Sequence, residues 1–346
     1  MTAGDDAAEP DDALRLTEYA DLHGCSCKVG QGDLDALLAE AGLDGGDGEF
    51  LFGIGEDAAA RQVRPDLAVV GTVDFFTPIV DDPYDFGRVA ACNAASDAFA
   101  TGATENLSCL VVLAVPRAVT DHAPAILAGM ADALAAVDGA IAGGHTTLNP
   151  WPFAGGAVTA TAHPEELVTT RGASPGDRLY LTKPLGTQPA MGALRVGDGE
   201  FAATVRGATD RSIETIGREA VEWMTTPNRA AALVAREHAT AATDVTGFGL
   251  LGQARVLAAN AGVGVDITRL PVIAGTPALS WLFGYGLDEG ESAETSGGLL
   301  LSVPTGQAAD LEAALADADV FHRAIGQVTD GDGARLVDPD VEPVCR

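Results

Sequence analysis

The chain has 346 residues, with 50 acidic against 20 basic side chains, a formal net charge of −30 and 47% hydrophobic residues. A charge of that sign excludes nucleic acid and anionic membrane as partners, since both demand a basic face. The longest apolar runs, such as Leu107 to Val115, fall well short of the roughly 20 residues of a membrane-spanning helix, and the acidic start lacks the layout of a signal peptide.

In chain order, residues 1–14 read as a disordered acidic tail. Past a cysteine segment at Cys25 and Cys27, Asp33 to Ala41 is expected as a short helix stopping at Gly42, with a glycine-rich turn at Gly45, Gly46 and Gly48. Leu67 to Val73 is continuously apolar and β-rich, so a buried strand is expected there, running out at Asp74-Phe75-Phe76. Tyr84 to Ala100 reads as a helix, apolar nearly all round and hence buried. A strand at Asn106 to Val115, a helix at His122 to Val137 and a strand at Ala157 to Ala162 follow. Arg171 to Gly176 reads as a linker. Beyond it come the strand Arg178 to Leu181, a turn at Lys183 to Gly186, and helices near Ser212 to Met224, Arg229 to His238 and Phe248 to Ala261. Gly298 to Val303 is the last expected strand. Strands alternating with helices in both halves imply α/β or α+β sandwiches, in two domains at 15–168 and 173–346.

Five scattered cysteines suit a reducing cytoplasm better than a disulfide framework. Few lysines with abundant acids, alanine and glycine resemble a halophilic composition, in which self-repulsion is screened by a Debye length of about 3 Å at 1 M salt. Only two lysines occur, Lys28 and Lys183. Lys28 closes Gly24-Cys25-Ser26-Cys27-Lys28, and an ammonium there can hold a phosphate oxygen and lower a neighbouring thiol's pKa. Three readings of the thiols stand: half of a metal site with His23, a strained disulfide, or a reactive thiol at Cys25 or Cys27, the last favoured by Lys28.

Neither lysine lies in a P-loop, and no convincing Gly-x-Gly-x-x-Gly opens a dinucleotide-binding unit. Asp57, Asp74, Asp97 and Asp244 instead lie in apolar contexts with few bases nearby. Each is read either as a helix or turn cap or as a ligand for a divalent cation, and hard oxygen ligands select Mg²⁺ or Ca²⁺. In so acidic a chain, such cations are what would let a polyphosphate bind. Gly143-Gly144-His145-Thr146 could bring backbone N–H groups to a phosphate or simply make a turn.

With Gly24-Cys25-Ser26-Cys27-Lys28, Asp74 to Asp81, Asp85-Phe86-Gly87-Arg88, Asn93 to Asp97, Ala142 to His145, Thr243 to Gly252 and Thr295 to Gly298, the chain resembles the selenophosphate synthetases (selenide, water dikinases). These belong to the aminoimidazole-ribonucleotide-synthetase-like superfamily. The resemblance implies a two-domain α+β fold whose N-terminal domain forms a β-barrel across a homodimer. It implies that ATP, selenide and water give selenophosphate, orthophosphate and AMP. Cys25 and Lys28 would be catalytic, with Cys25 the thiol and Lys28 on the ATP phosphates. Ile54, Gly55, Glu56, Asp74, Asp97, Gly144, His145 and Thr146 would bind ATP, and Asp57, Asp97 and Asp244 would hold Mg²⁺. Glu56 stands where an aspartate is common, and the segment before Thr295 is shorter than usual, reading Ser292-Ala293-Glu294. Another kinase or synthetase of the superfamily, or a non-catalytic selenium or metal carrier, would explain fewer of these residues.

Overall fold

Gly87 and Gly129 set a close crossing of two helices. A Cβ on Gly87 would stand 2.0 Å from the Ile126 carbonyl oxygen, and one on Gly129 2.0 Å from that of Tyr84. Two helices therefore meet backbone to backbone: α2 (Pro83–Ala100) and α3 (Ala123–Ala135). In this computed structural model residues 14–43, 50–196 and 200–346 are described, so most of the acidic tail and the glycine-rich turn at 45–48 lie outside them. Before α2 come α1 (Gln31–Glu40), β1 (Ala59–Arg64) and β2 (Leu67–Phe76). β3 (Glu105–Val115), β4 (Ala140–Leu148) and β5 (Phe153–Ala162) complete a five-stranded sheet in the order β1-β2-β5-β3-β4. Its pairings are antiparallel except β3 with β4.

α2 packs on β2 and β5, and thirteen of its residues are buried, as its all-round apolar character predicts. Asp82 accepts a hydrogen bond from the Asp85 N–H at 2.8 Å, and Pro83 takes the first helical position, so the start of α2 is fixed by its capping chemistry. Among the described residues the opposite face of the sheet leaves large apolar side chains exposed. There Val73 is 60% exposed, Phe75 47% and Leu110 51%. β2 was expected to be buried on both sides; it alternates, and its run reads as continuous because the outward face is apolar too.

The second unit runs β6 (Arg178–Leu181), α4 (Thr187–Arg195), α5 (Glu200–Gly207), α6 (Ile213–Met224), α7 (Arg229–His238), β7 (Ala241–Asp244), α8 (Gly249–Ala261), β8 (Gly264–Ile273), α9 (Thr276–Phe283), β9 (Leu299–Val303), α10 (Ala308–Asp317), β10 (Arg323–Thr329) and β11 (Gly333–Val344). Its six strands order as β11-β8-β10-β6-β9-β7. One face of this sheet packs on α8 around Leu250, Leu257 and Ile267. Its other face, through Leu299, Leu301 and Val303, belongs to the same core cluster as α2 and the first sheet. α2 therefore stands between the sheets and touches β7, and the end of β7 lies against the helix that carries Asp97. Neither sheet closes on itself, so the barrel expected across a dimer is not formed by one chain.

Candidate active site

Three carboxylates converge from three different elements. Asp57 sits in the turn before β1, Asp97 in α2 and Asp244 at the end of β7, and each offers an oxygen within 4.8 Å of the others'. Hydroxyls fix their rotamers: Thr243 donates to Asp57 at 2.8 Å and Thr72 to Asp97 at 2.6 Å. The Asp244 Oδ2 is buried and has no hydrogen-bond partner. Burial raises all three carboxyls above their ordinary range, and for Asp57 and Asp97 the charge of Asp244 is the next cause. None of the three is a cap. Asp97 lies inside its helix, and the helix after Asp244 starts at Phe248 with no side-chain cap.

Converging, under-neutralised oxygens with one left unpartnered fit a hard divalent cation. Among the described residues no other group of three His, Cys, Asp or Glu side chains has such geometry, and His23 turns its Nε2 to the Thr17 carbonyl at 3.0 Å.

The fourth aspartate, Asp74, has a different neighbour. Its Oδ2 accepts from the Lys28 ammonium at 2.8 Å and from the Asn93 amide at 2.6 Å. Burial works against the Lys28 charge, but Cys25, Asp74, Asp97 and Asp244 together hold its pKa above the ordinary lysine value. The segment carrying Lys28 is docked. Gly24 donates its N–H to Thr77 at 3.0 Å and adopts φ +60°, and a Cβ there would lie 2.4 Å from the Thr295 hydroxyl. Cys25 donates its N–H to that hydroxyl at 3.1 Å and its thiol to Asn93 Oδ1 at 3.3 Å. Gly247 makes room for the segment, since a Cβ there would be 2.7 Å from the Cys25 carbonyl oxygen.

Lys28 was expected to lower the thiol's pKa. The reverse holds: Cys25 is fully buried, and desolvation raises its pKa well above the ordinary value although Lys28 pulls the other way. All five cysteines are free.

A family profile described as AIR synthase related protein, N-terminal domain, matches residues 55–162, and its C-terminal counterpart matches 174–339. The chain is 39% identical over 343 residues to the selenide, water dikinase of Methanocaldococcus jannaschii, covering 96% of this chain and 97% of that one. It is 40% identical over 331 residues to the selenide, water dikinase of Methanococcus maripaludis, covering 93% and 98%. The chain belongs to the selenide, water dikinase family. A solved structure named AaThiL complexed with AMPPCP and TMP shares the fold, with TM-score 0.68 and 19% identity over 91% of this chain and 95% of that one.

In this dikinase family member the expected turn at Ile54 to Glu56 adjoins Asp57, and Glu56 acts on that carboxyl's charge. Glu56 turns to Arg171 at 2.8 Å and accepts from the N–H and hydroxyl of Thr170 at 2.9 and 2.8 Å. Ile54 is exposed, and the Gly55 carbonyl accepts from Asn260 at 2.8 Å. Gly144, His145 and Thr146 lie on the edge strand β4. β5 and β3 stand between that strand and Asp74's, a separation of about 14 Å at ordinary strand spacing. Sequence reasoning missed Thr72 and Thr243, which aim two carboxylates, and Ser96, whose hydrogen bond favours the charged form of Asp244. Thr243 was visible as the first residue of Thr243-Asp244. Thr72 shows up only through its register on β2.

Proposed function

We propose that the protein makes selenophosphate from selenide, ATP and water, releasing AMP and orthophosphate. One observation carries the reading: a carboxylate trio built for a divalent cation lies against a docked Cys25–Lys28 segment. Asp57, Asp97 and Asp244 would hold Mg²⁺, which supplies charge neutralisation for a triphosphate that this acidic chain would otherwise repel. Lys28, kept charged by the carboxylates of Asp74, Asp97 and Asp244, is a cation placed to contact the same phosphates. Asp74 and Asn93 aim it. The turn at Ile54, Gly55 and Glu56 offers its backbone to the nucleotide, the Glu56 side chain serving to brace that turn on Thr170 and Arg171. Cys25 acts from the docked segment, excluding water from the phosphates and meeting the soft selenium nucleophile.

The catalytic unit is a homodimer in this reading. Gly144 to Thr146 stand two strands away from the strand of Asp74 in the same chain, and the open β4 edge with the bare Val73, Phe75 and Leu110 face is suited to a second copy. Joining two such sheets would close the barrel and bring each β4 to the partner's carboxylates. The proposed domains are 15–168 and 173–346, and the setting is a reducing cytoplasm, consistent with free thiols and an oxidisable substrate.

The test is anaerobic incubation of the protein with ATP, Mg²⁺ and selenide at high salt, followed by phosphorus NMR. Selenophosphate, orthophosphate and AMP are expected together, and Cys25→Ser should abolish the selenide-dependent signal while sparing Mg-ATP binding. ADP as the final nucleotide, or turnover indifferent to selenide, would overturn the assignment.

A further inference from the structure

The second lysine is more deeply buried than the first. Lys183 follows β6, is 3% exposed, and donates its ammonium to the Ser296 carbonyl at 2.8 Å, its one hydrogen bond among the described residues. Among the described residues no carboxylate forms an ion pair with it; Asp244 attracts it through space and Arg346 repels it. Burial lowers its pKa to about 8. A buried ammonium satisfied by one neutral carbonyl costs several kcal/mol unless a counter-ion completes it.

Lys183 lines a cavity of about 920 Å³ between the ends of α3, α6 and α10 and the start of α7. The other charged residues on its wall are Arg229, Arg346 and the single acid Asp319. Both arginines are engaged: Arg229 pairs with Asp138 at 3.5 Å and donates to the Thr104 carbonyl at 3.5 Å, and Arg346 pairs with Glu222 at 3.7 Å, donates to the Thr226 hydroxyl at 3.0 Å and stacks on Trp223. With the arginines paired, Lys183 is the wall cation that an entering anion would meet in a chain of charge −30 whose surface otherwise repels anions.

The inner end of this cavity backs onto the thiol. Ser296, whose carbonyl Lys183 holds, gives its N–H to Asn93 Oδ1 at 2.8 Å, the same oxygen that accepts the Cys25 thiol at 3.3 Å. Asn228, also on the cavity wall, donates to Ser96 and to the Gly297 carbonyl at 2.9 and 2.8 Å. Ser296 itself is held at φ +50°, a conformation rarely adopted by residues other than glycine, and its buried hydroxyl has no partner among the described residues. On the other side of Lys183 lies the buried thiol Cys92, close enough to act on its charge.

We propose that this cavity admits the selenium substrate as a small, soft monoanion, with Lys183 receiving it and the Ser296 hydroxyl meeting it on the way to Cys25. The proposal rests on the dikinase reading above. Two polarisable thiols with one ammonium and one hydroxyl suit hydroselenide, whereas an oxyanion would need the several convergent N–H donors that the inner end lacks. Selenide and Mg-ATP would then arrive from opposite sides of the Ser296–Gly297 strap.

Two measurements test this. In crystals soaked in sodium bromide, a monoanion of comparable softness, anomalous scattering should place bromide in contact with the Lys183 ammonium, and Lys183→Met should remove that peak. In kinetics, Lys183→Met should lower kcat/KM for selenide about ten- to a hundredfold, the worth of a hydrogen bond to a charged group, and by more than it changes the KM for Mg-ATP. Ala316→Trp, at an exposed position on the cavity wall, guards against a folding defect and should lower kcat/KM for selenide without touching the ATP parameters. A cavity empty of bromide, or selenide kinetics unmoved by Ala316→Trp, would overturn the proposal. Wild-type protein that makes no selenophosphate would instead defeat the dikinase reading, and the bromide experiment would still decide whether the cavity is an anion site.

Discussion

Asp244 shows how far one side chain can set the protein's response to pH and metal. It is 1% exposed, lacks a partner on Oδ2, and raises the pKa of both Asp57 and Asp97. Groups with raised folded pKa values stabilise the fold fully below their unfolded value, near 3.8, and lose that contribution as pH rises through the folded value. Without a cation the trio is therefore a growing liability toward neutral pH, and a bound divalent ion removes it. The melting temperature gained on adding Mg²⁺ should widen from about pH 5 to about pH 8, as read by differential scanning fluorimetry. Asp244→Asn should stabilise the metal-free protein at neutral pH, since it removes a buried charge that also raises two neighbours, and should abolish most of the Mg²⁺ response. A variant that melts earlier without metal, or keeps the full response, would mean that the trio is not a cation site. That these carboxylates are buried was legible in the sequence, because a carboxylate amid alanines and valines has few explanations; which three of the four aspartates converge was implied only by the family resemblance. Lys28 on Asp74 was not, since the pairing spans 46 residues and depends on how the segment docks.

At the scale of elements, the segment from His23 to Lys28 behaves as a strap that fastens across the site. Its fastening depends on Gly24, where a left-handed φ and a contact too close for any Cβ coincide. Gly24→Ala should therefore loosen the strap while leaving the sheets intact. Thiol titration with an aromatic disulfide reads this directly. In the wild type the exposed Cys345 should react first and the buried Cys25 slowly; in Gly24→Ala the Cys25 rate should rise at least about tenfold, since access and thiolate fraction govern reactivity. Unchanged Cys25 kinetics would mean that Gly24 does not control docking. The sequence marked this segment as chemical but gave the wrong sign for its thiol, because a neighbouring charge is visible in a sequence and desolvation is not. Helices with an unambiguous apolar face or cap, such as α2 and α6, were legible to within a residue or two. β8, β10 and β11 were not, because their pairing joins distant segments and β11 carries exposed polar residues along most of its length.

For the whole molecule, the decisive surface is the bare face of the first sheet. A single chain leaves Val73, Phe75 and Leu110 in water beside an edge strand with open hydrogen-bonding groups, an arrangement that folded proteins normally cover or break with charges. Here the net charge of −30 opposes any association at low ionic strength, so the contact must be apolar and salt must screen the remainder. Dimer formation should therefore strengthen as salt rises, with light scattering behind a sizing column showing more monomer at low salt. Leu110→Glu places a carboxylate at an exposed site on β3, where the chain's own fold does not need the leucine, and should give a stably folded monomer. If Gly144 to Thr146 of one copy complete the nucleotide site of the other, that monomer should also bind Mg-ATP more weakly by about tenfold or more, matching the loss of one or two charge-assisted hydrogen bonds. A Leu110→Glu monomer that binds Mg-ATP as tightly as the wild type would show that each chain carries a complete site. The role of β4 would then have to be sought outside nucleotide binding.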